Sequence, residues 1–327
     1  MSERVLITGA SGFVGYHLIE AAVKNNLEVF AAVRKSSKVD HLKEFNIQYA
    51  YTNFNSVEAL TAEIQNNRYD YIIHAAGVTK ANSKAEYDAI NTGYTVNLAK
   101  AAVASGRIKK FVFISSLAAV GPINTVEGVI TELNMQVPVT AYGHSKKRAE
   151  EELIKFSSLN YVILRPTAVY GPRDKDILIM FKQFAGRFEP YIGKIDQYLS
   201  FIYVKDLAQV SINALTRGNQ QAYLISDGKR YNRYELANIT KRLLGINTFK
   251  IHLPLTVVKV IAGVAEGISK ITKKASALNV EKLNELTAAN WICSIDKAQQ
   301  ELDFKPQYDL NRGIEETLTW YKANKWL

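Results

Sequence analysis

Residues 4–19 read Arg-Val-Leu-Ile-Thr-Gly-Ala-Ser-Gly-Phe-Val-Gly-Tyr-His-Leu-Ile, and this stretch decides the fold. Its first five residues form an apolar, β-branched run that is typical of a buried parallel strand. Gly9, Gly12 and Gly15 follow, and the apolar residues after them begin a helical pattern. Glycines let a phosphate approach the backbone closely, and the helix N-terminus behind them attracts the anion. An ordinary turn is the alternative for the glycines alone, and their place after a strand favours phosphate binding.

The composition is that of an ordinary globular protein, with 327 residues of which 47% are hydrophobic and 22% charged. Such a chain can bury the core of one large or two modest domains. No apolar run is long enough to span a bilayer, and residues 1–4 lead straight into a strand rather than into a secretory signal. The single cysteine, Cys293, excludes an intrachain disulfide framework and a cysteine-rich metal site. We therefore expect a cytoplasmic protein without a bound metal.

The net charge of +10 allows two interpretations. One is a polyanionic partner, and the other is a basic surface that also helps to bind a phosphate-rich cofactor. The sequence contains no dense block of Lys and Arg, and the nearest approach is Lys273 and Lys274, with Lys270 one turn earlier. We therefore favour the second interpretation and predict no nucleic-acid partner.

The second strand is predicted at 27–33, and the residues after it bear on the choice of cofactor. An acid at this position binds the ribose 2′-hydroxyl of NAD, whereas a basic residue suits the 2′-phosphate of NADP. Here Arg34 follows the strand, and no acid occurs before Asp40. The planar guanidinium of Arg34 matches phosphate oxygens, and Lys38 is placed to assist it. We predict NADP as the cofactor, with NAD as the alternative; a solvated basic loop is the interpretation without a ligand.

Three polar side chains are candidates for acid–base chemistry. A strand over 110–115 delivers Ser116 to the carboxyl end of the sheet, where open α/β sheets bind ligands. Tyr142 and Lys146 are four residues apart, so they share one face of a predicted helix. A nearby ammonium lowers the pKa of a phenol, which would make Tyr142 an acid or base near neutral pH. Ser116 can hydrogen-bond the same substrate oxygen.

These motifs together resemble one enzyme family. Thr8-Gly-Ala-Ser-Gly-Phe-Val-Gly15, followed by Ser116 and, twenty-six residues later, by Tyr142-x-x-x-Lys146, looks like an extended short-chain dehydrogenase/reductase of the NAD(P)-dependent epimerase/dehydratase superfamily. The resemblance covers the whole chain. It implies an α/β fold, in which a Rossmann doubly wound parallel sheet carries a smaller, mostly helical C-terminal substrate domain. It also implies a small-molecule substrate and a homodimer.

The resemblance allows a domain division to be predicted along the chain. We place the NAD(P)-binding Rossmann domain at 1–171 plus about 201–226. The substrate-binding domain would then comprise about 172–200 and 227–327.

The resemblance also assigns roles to individual residues. Ser116, Tyr142 and Lys146 would be catalytic, and the glycine pattern after the strand selects Ser116 over Ser115. The cofactor would be held by residues of the glycine turn, the strand ends and the catalytic helix: Thr8, Gly9, Ser11, Gly12, Phe13, Val14, Gly15, Arg34, Lys38, Asn53, Ala75, Ala76, Gly77, Asn91, Tyr142, Lys146 and Pro166.

We make a specific prediction for each of three polar residues near these motifs. Asn53 stands where the family usually carries an Asp beside the adenine, and an amide can still hydrogen-bond there. Asn91 is predicted to begin a helix over 91–104, and the resemblance implies that it orders water or backbone in the site; a polar residue at a helix N-terminus is the alternative. His74 is predicted to be a packed structural residue rather than a catalytic one.

Residues on the substrate side indicate the branch of the superfamily. Its sugar-nucleotide epimerases usually carry Asn and Arg at the positions of Ala168 and Leu199, where they contact the substrate diphosphate. A diphosphate needs such donors, whereas an apolar alcohol does not. Residues 164–174 look more like the 3β-hydroxysteroid dehydrogenase and dihydroflavonol reductase group. We therefore predict an NAD(P)-dependent oxidoreductase that acts on the secondary alcohol or carbonyl of a fairly apolar small molecule.

Two other functions remain open on the same residues. An NAD-dependent sugar-nucleotide epimerase/dehydratase would run the hydride transfer in two halves. A non-catalytic, cofactor-sensing binding protein would keep the fold without turnover.

An amphipathic segment at 254–271 is followed by Lys273 and Lys274. We predict a substrate-domain helix that packs on the core. Contact with a membrane surface, or a lid over an apolar substrate, is the alternative.

Overall fold

The computed structural model describes residues 2–272 and 280–327. This part of the chain contains thirteen strands: β1 (Arg4–Thr8), β2 (Glu28–Ala32), β3 (Gln48–Ala50), β4 (Tyr71–His74), β5 (Lys110–Ile114), β6 (Tyr161–Pro166), β7 (Ala168–Tyr170), β8 (Phe188–Ile192), β9 (Tyr198–Leu199), β10 (Phe201–Tyr203), β11 (Gln221–Ile225), β12 (Tyr231–Asn232) and β13 (Phe249–Leu253). Its α-helices are α1 (Phe13–Lys24), α2 (Val57–Asn67), α3 (Lys84–Tyr87), α4 (Tyr94–Ser105), α5 (Ala141–Leu153), α6 (Asp176–Ala185), α7 (Val204–Asn213), α8 (Glu235–Leu244), α9 (Leu255–Thr272), α10 (Val280–Leu286), α11 (Asp296–Leu302) and α12 (Leu310–Ala323).

Seven parallel strands form the central sheet, in the order β11-β6-β5-β4-β1-β2-β3. Strands β1 to β3 extend in one direction, and the chain then crosses back so that β4 pairs with the other side of β1. Open α/β sheets bind ligands at such a reversal, outside the carboxyl ends of the strands. The predicted α/β Rossmann fold is therefore confirmed, and the reversal places the candidate site next to the glycine turn.

The first strand shows why this sheet is buried on both faces. Val5 and Ile7 belong to the core that α1 and α7 cover, whereas Leu6 belongs to the core under α2, α4 and α5. Successive side chains of a strand point to opposite faces, and here both faces are apolar. None of the three side chains is accessible to solvent.

A third hydrophobic core lies among α6, α8 and α12. Its largest enclosed side chains include Tyr170 of β7, Phe181 and Tyr321. The division of the chain into a Rossmann and a substrate domain stays a prediction.

The helix predicted to begin at Asn91 begins earlier in the structure. Its first residue is Lys84, because Ser83 caps the N-terminus by accepting a hydrogen bond from the Glu86 N–H (3.1 Å). Asn91 lies inside a π-helical turn, Asp88–Gly93, between α3 and α4. Such turns occur mostly as single insertions in α-helices and often at functional sites. The prediction of the helix start was therefore wrong.

Two segments outside the central sheet, both from the second half of the chain, lie next to each other. Strand β8 pairs in parallel with the distant strand β13, which leads into α9. The amphipathic segment 254–271 is helical as predicted, since it forms α9. Lys273 and Lys274, which follow this helix in the sequence, lie outside the described residues. Within the described ranges, no helix is both long enough and apolar enough to cross a membrane.

The packing of α12 on the third core generates a stability prediction. A Cβ on Gly313 would lie 2.1 Å from the Tyr170 hydroxyl oxygen. We expect Gly313→Ala to lower the free energy of unfolding in urea by about 1–3 kcal/mol, as overpacking does. Gly263→Ala in α9 is the matched control, because a Cβ there meets nothing within 4 Å and alanine suits a helix better than glycine. Equal effects of the two substitutions would contradict this packing.

Candidate active site

The glycine turn between β1 and α1 has the geometry of an anion-binding turn. Gly9 has a φ of +69°, and a Cβ on it would lie 2.6 Å from the Ala75 carbonyl oxygen at the end of β4. A Cβ on Gly15 would lie 2.2 Å from the Gly9 carbonyl oxygen, so only glycine lets the helix start this close to the strand. Gly12 precedes α1 without a side-chain cap, which leaves the first N–H groups of the helix for a phosphate.

The other residues of the turn anchor its backbone. Val14 packs on the core that α1 covers, and Ser11 and Phe13 are partly buried. The edge of the Phe13 ring meets the His17 ring at a centroid distance of 5.8 Å. The backbone that would meet the phosphates is thus held in place by apolar contacts.

Buried hydrogen bonds tie the ends of β1 and β4 together. The Thr95 hydroxyl gives its proton to the Asn91 carbonyl (2.7 Å), so it accepts one from Nε2 of His74 (3.0 Å). Nδ1 of His74 is then an acceptor for the Thr8 hydroxyl (2.7 Å), which itself accepts from the Ala76 N–H (3.0 Å). Burial lowers the pKa of His74 to about 3, so the ring stays neutral. These contacts agree with the structural role predicted for His74.

Asn91 holds the loop that follows β4. Its buried side chain accepts from the Val78 N–H (2.8 Å) and donates to the Val78 carbonyl (3.0 Å) and to the Ser145 hydroxyl (2.9 Å). A Cβ on Gly77 would lie 2.9 Å from Asn91 Oδ1 and 3.5 Å from Lys146 Nζ. The loop therefore passes directly beside α5, and Asn91 orders its backbone.

The two serines at the end of β5 have different partners. The Ser115 hydroxyl donates to the buried carboxylate of Glu150 on α5. The Ser116 hydroxyl oxygen accepts from the Ala118 N–H (3.1 Å), so its proton remains for another acceptor. Ser116 also acts on Tyr142 by lowering its pKa. The Ser115 hydroxyl is thus bonded within the protein, and the choice of Ser116 over Ser115 as the catalytic serine stays a prediction.

Lys146 is buried on the side of α5 that faces the sheet. Its Nζ donates to the Ile114 carbonyl (2.9 Å) and lies 4.8 Å from the centre of the Phe113 ring. Burial lowers the pKa of Lys146 to about 8, and the negative charge of Glu150 opposes that shift. The ammonium is therefore still mostly protonated at neutral pH.

Tyr142 differs from its prediction. Burial raises its pKa to about 12; the Ser116 hydroxyl opposes this shift, and the charge of Glu285 adds to it. Lys146 bonds to the Ile114 carbonyl rather than to the phenol. The expectation of a lowered Tyr142 pKa is therefore wrong for this structure, because the effect of burial outweighs the opposing effect of Ser116. The phenol is protonated at neutral pH.

A buried ion pair lies beside these residues. Nε of Arg165, on β6, donates to both carboxylate oxygens of Glu150 (3.1 Å each), and Nη2 donates to Oε2 (2.7 Å). The same carboxylate accepts from Ser115 and from the Gln136 side-chain amide (2.7 Å). The Arg165 and Glu150 side chains are only 10% and 3% exposed. Because either charge alone would be costly to bury, the pair holds α5 against β5 and β6.

Two carboxylates that no sequence motif indicated meet the N-terminus of α5. The Thr140 hydroxyl accepts from the Gly143 N–H (3.2 Å) as the helix cap, and it donates to Glu285 of α10 (2.7 Å). Glu281 of α10 accepts from the Ala141 N–H (2.8 Å). Anions are favoured at a helix N-terminus. Local patterns do not reveal these contacts, because Glu281 lies 140 positions after Ala141.

The remaining predicted cofactor residues lie at strand ends. Arg34 and Lys38 follow β2 and are both exposed. Asn53 is exposed after β3, and its Oδ1 accepts from the Asn55 N–H (3.1 Å) in a local turn. Pro166 is the buried last residue of β6. The glycine turn and the uncapped N–H groups at the start of α1 fit the pyrophosphate of a dinucleotide. The basic residues after β2 fit a further phosphate.

Known proteins resemble this chain over nearly its whole length. Residues 5–232 match the NAD dependent epimerase/dehydratase family. The chain belongs to this family. It is 26% identical over 331 residues to UDP-glucose 4-epimerase of Vibrio cholerae, which covers 97% of this chain and 95% of that protein. It is 25% identical over 342 residues to sterol-4-alpha-carboxylate 3-dehydrogenase, decarboxylating, of Candida albicans, which covers 97% of each.

A solved structure shows the same fold. The dTDP-glucose 4,6-dehydratase of Bacillus anthracis, in complex with NAD, has a TM-score of 0.80 at 18% identity over 99% of this chain and 98% of that one. The family resemblance predicted from the glycine turn and the Tyr–Lys spacing is thus confirmed, and the chain is an enzyme of an NAD-dependent family.

The buried ion pair generates a second stability prediction. We expect Glu150→Gln to lower the free energy of unfolding by roughly 3–5 kcal/mol, because Arg165 is left buried without its counter-charge. Glu152→Gln on the same helix is the matched control, since its pair with Lys155 is largely exposed and is worth at most about 1 kcal/mol. Urea unfolding followed by circular dichroism measures both. Similar small losses in the two variants would show that the Glu150 pair does not hold α5 in place.

Proposed function

We propose that this enzyme interconverts a secondary alcohol and its carbonyl on a fairly apolar small molecule, with Ser116, Tyr142 and Lys146 as its catalytic residues. The proposal rests on one observation. The three side chains lie close together at the end of β5, beside the loop after β4 that contains Gly77. The nicotinamide cofactor, when bound on the glycine turn, supplies or accepts the hydride.

Each of the three side chains has one task. Tyr142 gives a proton to the substrate oxygen when the carbonyl is reduced, and takes it back in the oxidation. Ser116 donates a hydrogen bond to the same oxygen and stabilises the charge that develops there. Lys146 provides a positive charge beside the Gly77 loop, where the cofactor would lie.

The protonation states of the free enzyme suit the acid role proposed for Tyr142. With a pKa of about 12, Tyr142 is protonated at neutral pH and so is ready to act as an acid. With a pKa of about 8, Lys146 keeps its charge at the same pH. A protonated phenol next to a cation is suited to a carbonyl that becomes an alkoxide.

The substrate side favours a fairly apolar molecule without a diphosphate. Ala168 is exposed at the start of β7, and Leu199 pairs with Tyr231, so neither position offers a donor for a diphosphate. The negative charge of the Glu285 carboxylate also raises the pKa of Tyr142. The relative named sterol-4-alpha-carboxylate 3-dehydrogenase supports an apolar substrate. The relative named UDP-glucose 4-epimerase supports the second candidate, which is the epimerisation of a sugar nucleotide by the same residues.

The cofactor we propose is NADP, with NAD as the alternative. Arg34 is exposed after β2, and the first acid beyond it, Asp40, is paired with Lys43 (2.7 Å). The solved dehydratase of the same fold is in complex with NAD, which supports NAD as the alternative. A cytoplasmic location, a homodimer and the two-domain division complete the proposal.

The test is the absorbance of reduced nicotinamide. Purified protein is mixed with NADPH or NADH and a panel of apolar carbonyls, and separately with sugar nucleotides. We expect net oxidation of NADPH with the first panel. Tyr142→Phe should lower turnover by roughly 10²–10⁴-fold and keep cofactor affinity, because acid–base catalysis contributes about that much. Tyr87→Phe is the matched control, since its ring lies 6.2 Å from that of Tyr142 and has no catalytic task.

Other outcomes would support the competing functions. Conversion of a sugar nucleotide without net change in nicotinamide would establish the epimerase. Cofactor binding without turnover on either panel would indicate the binding protein. Equal loss of turnover and of cofactor affinity in Tyr142→Phe would give Tyr142 a structural role.

A further inference from the structure

The first turn of α5, which carries Tyr142, is held by contacts on both sides of that residue. The first N–H groups of a helix have no partner within the helix. Here the Thr140 hydroxyl accepts from the Gly143 N–H (3.2 Å). Glu281 of α10 accepts from the Ala141 N–H (2.8 Å). Tyr142 lies between these two anchored N–H groups, so the contacts fix the place at which its side chain leaves the helix.

Glu285 of α10 sets the orientation of this cap. Its Oε1 accepts the Thr140 hydroxyl proton (2.7 Å), so the hydroxyl lone pairs are left for the helix. The Glu285 side chain is only 11% exposed, and its other carboxylate oxygen accepts from Lys282. The Glu285 carbonyl accepts from Nε1 of Trp291 (3.1 Å), which holds the end of α10. Hydrogen bonds to a carboxylate are stronger than neutral ones, so the cap has one fixed orientation.

Close packing of α5 explains why this carboxylate comes from a distant element. A capping box places a glutamate three residues after the cap. In α5 that position is Gly143, and a Cβ on it would lie 2.4 Å from the Ala118 carbonyl oxygen. By contrast Ser56, the cap of α2, donates to Glu58 of its own helix (2.9 Å). Because only glycine fits at 143, the carboxylate for the α5 cap is supplied by α10.

The turn against which Gly143 packs also carries Ser116, whose hydroxyl accepts from the Ala118 N–H (3.1 Å). Burial raises the pKa of Tyr142, whereas the Ser116 hydroxyl lowers it. The charges of Glu285 and Tyr87 add to the effect of burial. The first turn of α5 therefore decides how the Tyr142 hydroxyl meets Ser116.

The groups around the phenol come from four elements. Ser116 follows β5, Tyr87 ends α3, Lys146 lies one turn further along α5, and Glu285 lies on α10. Lys146 donates to the Ile114 carbonyl (2.9 Å). Glu285 is thus the carboxylate that bears both on the phenol and on the cap of its helix.

We propose that Glu285 is a positioning residue that holds Tyr142, through Thr140, beside Ser116 for proton transfer. This inference rests on the proposed function, in which Tyr142 and Ser116 have their catalytic roles. A displacement of about 1 Å can lower turnover by about 10²-fold. A helix outside the central sheet therefore takes part in arranging the catalytic groups.

Two variants separate the hydrogen bond of Glu285 from its charge. Glu285→Ala removes both, and we expect kcat for reduction of an apolar carbonyl to fall by roughly 10–10²-fold while NADPH affinity is kept. Glu285→Gln should retain most of kcat, because its amide oxygen still accepts from Thr140. Glu152→Gln, at the other end of α5 in a largely exposed pair with Lys155, is the matched control and should behave like the wild type.

A double-mutant cycle tests the path through Thr140. Thr140→Val removes the hydroxyl and should lower kcat as Glu285→Ala does. The double variant should lose little more than either single variant, because the two side chains act as one unit. Additive losses would overturn the proposal, and so would an unchanged kcat in Glu285→Ala. Equal loss of kcat and of NADPH affinity would instead give Glu285 a general structural role; circular dichroism verifies that each variant is folded.

A measurement without substrate separates this inference from the proposed function. NMR of protein with ¹³C-labelled tyrosine reports the phenol, and Tyr142→Phe assigns its signal. At about pH 10, near the ordinary pKa of tyrosine, the phenolate fraction of Tyr142 should be larger in Glu285→Gln than in the wild type. The reason is that a negative charge that raises the pKa of Tyr142 is removed.

The two proposals fail in different ways. An unchanged Tyr142 signal in both Glu285 variants would overturn the positioning role, whatever the turnover. Changed Tyr142 signals together with a wild type that reduces no carbonyl would overturn the proposed reaction, and would leave Glu285 as the residue that positions the phenol.

Discussion

The candidate site depends on the buried ion pair between Glu150 and Arg165. Glu150 belongs to the helix that carries Tyr142 and Lys146, and Arg165 belongs to the strand beside β5. The same carboxylate accepts the Ser115 hydroxyl, so one group joins α5, β5 and β6. Loss of either charge would leave the other buried without its counter-charge, and these three elements therefore have little freedom to shift.

A second set of hydrogen bonds reaches α5 from the other side of the site. It runs from Thr8 through His74 and Thr95 to the backbone of Asn91, whose side chain then donates to the Ser145 hydroxyl. The two networks fix α5 against both halves of the sheet, at the place where strand order reverses. The fully satisfied polar groups of such networks specify one arrangement of a core.

The sheet and the glycine turn could be predicted because their signals are local: apolar runs, glycine spacing, and a Tyr and a Lys one helical turn apart. The helix start was missed although Ser83-x-x-Glu86 is a recognisable capping pattern. The pairing of β8 with β13, and the contacts of Glu281 and Glu285 with α5, join residues far apart in the chain. The direction of the Tyr142 pKa shift depends on burial, which sequence spacing does not reveal.

Burial beside Glu150 sets the charge of Lys146 in the free enzyme. NMR titration of protein with ¹³C-labelled lysine side chains tests it directly, with Lys146→Arg to assign the signal. We predict a pKa of about 8 for Lys146, and a lower pKa in Glu150→Gln because a neighbouring negative charge is removed. Titration at the ordinary lysine value of about 10.4 would contradict the enclosed site described above.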